Sequence, residues 1–134
     1  MFCSLVVASA GTLAAELEVV VAGERVAPGI VGCALYATEA GFPMDPTQAR
    51  MVWVPWQTEG VLCRFTGLTE GRYAVSVMND ENANRKVDTN FLGMPQEVWG
   101  VSNNARPTLR PPRFNEAVFT LQGPVTRIEV RLAK

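Results

Sequence analysis

Residues 60–78 read GVLCRFTGLTEGRYAVSVM. Val61, Cys63 and Phe65 alternate with Leu62 and Arg64, and after the glycine-bounded turn at residues 67–71, Tyr73, Val75 and Val77 fall on one parity. A period of two with β-branched and aromatic residues specifies two half-buried strands joined by a turn. The pattern continues outward in both directions. Residues 16–21 alternate polar with apolar and break at Ala22-Gly23. Residues 30–37 place Val31, Cys33 and Leu35 on one face and Gly32, Ala34 and Tyr36 on the other. Residues 51–54, 117–121 and 125–132 complete the set, the last with Thr126, Ile128, Val130 and Leu132 as its better inward face. The stretch GFPMDPTQAR (residues 41–50) is a loop, with one helical turn from Asp45 because Pro46 suits a first helical position. Seven short strands and no long helix predict an all-β, immunoglobulin-like two-sheet sandwich.

The chain's 134 residues fit one domain. With 48% hydrophobic and 19% charged residues its balance is globular. A net charge of −1 gives no field that draws nucleic acid. Histidine is absent from the sequence, which removes the usual general base and the commonest transition-metal ligand. No Ser-His or Cys-His pair can form, no phosphate-cradling glycine motif occurs, and the expectation is a non-enzyme.

Residues 1–15, MFCSLVVASAGTLAA, are apolar and small, and Ala8-Ser9-Ala10 and Thr12-Leu13-Ala14 offer small-x-small cleavage patterns. They read as a signal-peptide remnant whose charged n-region is missing, as though the true start lay elsewhere; the plainer alternative is a buried first strand or short core helix. The run is too short to span a bilayer, and no transmembrane segment follows. The remaining domain, residues 16–134, is then exported, periplasmic or extracellular. Cys3 leaves with the leader, and Cys33 and Cys63 remain. They form either a disulfide across the core or two separate buried thiols; spacing alone does not choose.

Residues 79–115 break the strand rhythm, and a connection this long inside a compact domain is usually functional or disordered. Phe91, Leu92, Val98, Trp99 and Phe114 would be costly to leave in water, so the expectation is one long ordered excursion, residues 80–114, packed over the sandwich. At its start, Asp80, Asn82, Asn84 and Asp88 stand at relative positions one, three, five and nine, with the Lys86 carbonyl at seven. That is the oxygen spacing of a calcium loop. Arg85 stands where the sharp turn wants glycine, and Phe91 where a bidentate glutamate belongs. The competing reading is an Asx-rich turn bonded to its own backbone. Calcium is therefore the one cofactor the sequence suggests.

The stretch GIVGCALYATEAGFPMDP, followed by FTGLTEGRYAVSVMNDENANRKVDTNFLGMPQEVWGVSNNA, resembles the bacterial family called domain of unknown function 2141. The likeness lies in the GFP loop, the L-x-x-G-x-Y-A-V turn and strand, and the D-T-N-F-L-G-x-P-x-E-x-x-G-x-S-N-N-A motif at residues 88–105. The resemblance implies an exported, single-domain sandwich akin to prealbumin-like and collagen-adhesin repeat domains, and no activity. The family's acidic loop usually carries glycine where this chain has Ala83 and Arg85, which weakens an ion site here.

Other candidates have plainer counterparts. Asn90, Trp99, Ser102, Asn103 and Asn104 make a candidate ligand surface for an envelope protein or a glycan, or else satisfy loop backbone groups. Trp53, Trp56 and Trp99 are a stacking platform or ordinary core aromatics. Arg106, Arg110 and Arg113 are a docking face for an anionic surface or a solvated loop. Asp80 and Asp88 as a glycosidase pair are less favoured than the same carboxylates as ion ligands or caps.

Overall fold

The computed structural model describes residues 14–23, 29–80 and 98–133. Two sheets face each other. One has the order β4-β1-β8 and the other β3-β2-β5-β6, with β7 paired to the start of β5. The strands are β1 (Ala15–Gly23), β2 (Ile30–Tyr36), β3 (Arg50–Pro55), β4 (Val61–Leu68), β5 (Gly71–Asp80), β6 (Trp99–Val101), β7 (Phe119–Leu121) and β8 (Val125–Leu132). All pairings are antiparallel except β1 with β8, where Val19 meets Ile128 in parallel register.

The alternation seen in the sequence is what fills the space between the sheets. Leu17, Val19 and Val21 of β1, Val61, Cys63 and Phe65 of β4, and Val130 and Leu132 of β8 meet Val31, Cys33 and Leu35 of β2 and Tyr73, Val75 and Val77 of β5 in one cluster. Leu62 and Arg64 point outward and are exposed, as their parity requires. Cys33 and Cys63 are joined by a disulfide with Cα atoms 6.4 Å apart, tying the two sheets together through the middle of the core. Ala15 already belongs to β1 and is fully buried, so the first strand starts one residue before position 16. Residues 1–13 of the expected leader lie outside the described residues.

Eight strands are found among the described residues, one more than the seven expected. The additional strand, β6, spans three residues, too few for an alternation to register, and all three are buried. It joins the sheets at one edge: Trp99 and Ala133 exchange two backbone hydrogen bonds of 3.0 Å. Gly100 makes this crossing feasible, because a Cβ there would collide with the Arg131 carbonyl of β8. At the opposite edge, Arg50 of β3 donates to the Thr66 carbonyl of β4 at 2.7 Å. The C-terminal end of the expected excursion also contains a one-turn helix, α1 (Phe114–Ala117), which takes Ala117 out of the strand read at residues 117–121.

Candidate functional site

The outer face of the β3-β2-β5-β6 sheet is not left to water. In β2, Gly32, Ala34 and Tyr36 face away from the core, yet every residue of this strand from Val31 to Tyr36 is buried. The cover is the GFP loop. Gly41, at φ 76°, makes the turn that L side chains rarely adopt, and the Met44 and Asp45 amides both bond back to its carbonyl. Asp45 then caps a 3-10 turn, Pro46–Gln48, by accepting from the Thr47 amide at 3.0 Å, with Pro46 in the first helical position as expected.

The loop is held down by aromatic contacts. Phe42 meets Tyr36 edge-to-face at 5.2 Å and Phe114 edge-to-face at 6.0 Å. The Tyr36 hydroxyl donates to the Asp45 carbonyl at 3.1 Å. Burial, aided by the Asp45 charge, pushes the Tyr36 phenol up to about 12, so it remains a neutral donor. Beside Phe42, the second apolar cluster gathers Ala74, Trp99, Val101 and Ala117 with Ala105 and Phe114.

Between this loop and residues 111–115 runs an open groove of about 880 Å³. Its walls are Phe42, Pro43, Met44 and Pro46 on one side and Pro111, Pro112 and Phe114 on the other, with Glu39, Asp45 and Arg113 at the rim. Beneath the loop lies a separate, much smaller void of about 20 Å³ against Gly32, Ala34, Met51, Trp53 and Met78.

The candidates named from sequence take up different positions. Ser102 is buried; its hydroxyl accepts from the Val75 amide at 2.9 Å and donates to the Ala117 carbonyl at 2.5 Å. It fills the gap on the β5 edge between the stretch paired with β6 and the stretch paired with β7. Asn103, at φ 61°, donates to the carbonyls of Glu116 and Val118, fastening α1. Asn104, at φ 51°, accepts from the Arg131 amide at 2.9 Å. The Ser-Asn-Asn run thus serves the protein's own backbone, which is the plainer of its two readings.

Trp99 is buried under the Arg106 guanidinium, 4.0 Å from its ring centroid. The same guanidinium donates to the Trp99 and Ala133 carbonyls. Arg110 makes a two-pronged pair with Glu116, at 2.7 and 3.1 Å. That pair, together with the Arg113 amide, lowers the Glu116 carboxyl to about 2. The Arg106 and Arg110 side chains are committed within the fold, whereas Arg113 gives its amide to Glu116 and is exposed at the groove rim. Trp53 lies over Gly32, against the sheet face that the GFP loop covers, whereas Trp99 lies under Arg106.

Asp80 closes β5, fully buried and paired across the ladder with Ile30. The other members of the calcium-like constellation, Asn82, Asn84, Lys86 and Asp88, lie outside the described residues, as does Asn90.

The family model described as an uncharacterized protein conserved in bacteria, DUF2141, matches residues 19–129. The chain belongs to the DUF2141 family. The match reaches from within β1 to within β8 and so covers both sheets, the GFP loop and the groove. Neither a curated protein nor a solved structure matches the chain.

Sequence reasoning did not find the groove or the covered sheet face. The signals were present in the small residues Gly32 and Ala34 at outward positions and in the prolines on both sides. Their meaning depends on which segments fold onto one another.

Proposed function

We propose that this DUF2141 chain is a non-catalytic binding or accessory domain of the bacterial cell envelope, an exported immunoglobulin-like or prealbumin-like sandwich. Its contact surface is the groove between residues 41–46 and 111–115. One observation carries the reading: both walls of the groove are built of proline and aromatic side chains fixed by the Tyr36–Phe42–Phe114 contacts. Walls already ordered before contact lose little freedom when a partner docks. A protein partner is favoured over a glycan, because Trp99 is covered by Arg106 and the Ser102 and Asn104 side chains bond to the domain's own backbone. Export is supported by the Cys33–Cys63 disulfide, a bond that persists in oxidising compartments. A non-enzymatic role is supported by the histidine-free sequence.

The test is site-specific photo-crosslinking in the native host. A photoreactive residue at Asn115, exposed in the groove, should give a discrete protein adduct, and one at Glu129, exposed on the outer face of β8, should not. Adducts at neither position, or equally at both, would overturn the groove as the contact surface. Recovery of the protein from the cytoplasm with reactive thiols would overturn export.

The second reading is a domain stabilised by calcium in the loop at residues 80–88. The observation in its favour is the Asp80 carboxylate, held in the interior where that loop begins. Binding at a hundredfold excess over the dissociation constant adds about 2.7 kcal/mol, so the melting temperature should rise in millimolar calcium over chelator and lose that rise in Asp80→Asn. An unchanged transition removes this reading and leaves an Asx-rich turn.

A further inference from the structure

We propose that Met44, Met51 and Met78 form a binding site for a soft monovalent metal ion of the copper(I) class. All the methionines among the described residues are these three, and all three line the small void under the GFP loop. They arrive from separate segments: Met44 from the covering loop, Met51 from β3 and Met78 from β5. The floor between them is β2, where Ala34 pairs with Met51 and Gly32 pairs with Met78. The Trp53 indole lies over Gly32, and the loop residues Pro43, Met44 and Pro46 line the void from the other side.

The residue type is informative at these positions. Met51 and Met78 lie on the sheet face that the GFP loop covers, and apolar strand positions ordinarily favour β-branched and aromatic residues. A thioether supplies what neither class does, a soft donor that carries no charge at any pH. Thioethers and thiolates are the protein ligands that select copper(I). Cys33 and Cys63 are locked in a disulfide, so the methionines are the soft donors available among the described residues. A d10 ion imposes no fixed geometry and accepts a three-sulfur set. The void of about 20 Å³ exceeds the roughly 10–15 Å³ that one water-sized sphere occupies. Three neutral ligands discriminate against strongly hydrated divalent ions, whose charge they leave uncompensated. The indole of Trp53 also lines the space, an aromatic group of the kind that attracts cations.

Packing alone would use the same residues for their shape, and the experiment separates the two roles. The full chain, labelled with 13C-methyl methionine, is titrated with silver nitrate as a redox-inert stand-in, then with copper(I) held reduced by ascorbate. The methyl resonances of Met44, Met51 and Met78 should shift together and saturate at one equivalent of either ion. Met51→Leu and Met78→Leu nearly conserve volume and should leave the metal-free melting transition close to that of the parent. Each should weaken silver binding by at least the roughly tenfold to hundredfold that losing an outer-sphere partner costs a metal site. Methyl resonances unmoved at one equivalent, or variants that bind silver as the parent does, overturn the proposal. If a strand variant fails to fold, Met44→Leu, in the loop, is judged by the same criterion.

Discussion

The Trp53 indole occupies the space that any side chain at Gly32 would need. A Cβ built on Gly32 would fall 2.5 Å from Cζ3 and 2.9 Å from Cη2 of that ring. The two residues are register partners across β2 and β3, so the contact is fixed by strand pairing. Gly32→Ala should therefore destabilise the domain by about 1–3 kcal/mol, the usual cost of forcing an extra group into a packed site. Replacing Trp53 with valine removes the obstruction, and in that background the added methyl should cost less than about 0.5 kcal/mol. Urea unfolding of the two single variants and the double variant gives the coupling directly. An alanine penalty that survives the loss of the indole would place the constraint elsewhere.

The disulfide joins the two sheets across a sequence separation of 30 residues between Cys33 and Cys63. Closing a loop of that length in the unfolded chain corresponds to about 3–4 kcal/mol in the chain-entropy account. The Cys33→Ala/Cys63→Ala double variant should lose stability of that order. Changing both positions together leaves no free thiol to exchange. Denaturant unfolding checks the magnitude, and intact mass with and without reductant checks the bond in the parent.

Ser102 stands in for a strand at the β5 edge, and its removal leaves two buried backbone groups, the Val75 amide and the Ala117 carbonyl, without that partner. Ser102→Ala should cost about 1–3 kcal/mol. Hydrogen exchange gives the more local signature: the Val75 amide should exchange faster in the variant, while amides of the β1–β8 pairing keep their protection.

The Arg110–Glu116 pair predicts an acid dependence. The folded-state value of Glu116 is depressed from its ordinary 4.5 to about 2, through the Arg110 hydrogen bonds first and the Arg113 amide second. A depressed carboxylate contributes stability that is fully present above pH 4.5 and is lost as pH falls from 4.5 towards 2. Both side chains are partly exposed, so salt should screen the effect. The urea midpoint of the parent should fall across that window, and that of Glu116→Gln should fall less. Parallel curves for the two proteins would exclude Glu116 as a source of the acid sensitivity.

Much of the fold was legible in the sequence because its cause is local. A strand's side chains alternate by geometry, so the inward sets at Val61, Cys63 and Phe65, at Tyr73, Val75 and Val77, and at Val130 and Leu132 could be read residue by residue. Pro46 after Asp45 announced a helical turn through its fixed φ and its missing donor. The family motif was likewise a property of the letters, and the matching model spans the same strands.

What the sequence alone left open depends on groups far apart in the chain. Whether Cys33 meets Cys63 is decided by how two sheets stack, and β6 exists because the β5 edge gives its three residues partners and Ala133, just past β8, bridges to Trp99. The outward face of β2 reads as solvent-facing by parity alone, and only the folded GFP loop makes it an interior. The roles of Ser102, Asn103 and Asn104 were ambiguous for the same reason: a polar side chain shows no partner until the backbone it bonds is brought to it. Periodicity encodes which way a side chain points. Tertiary structure decides what it meets there, because those contacts are made between residues separated by tens of positions.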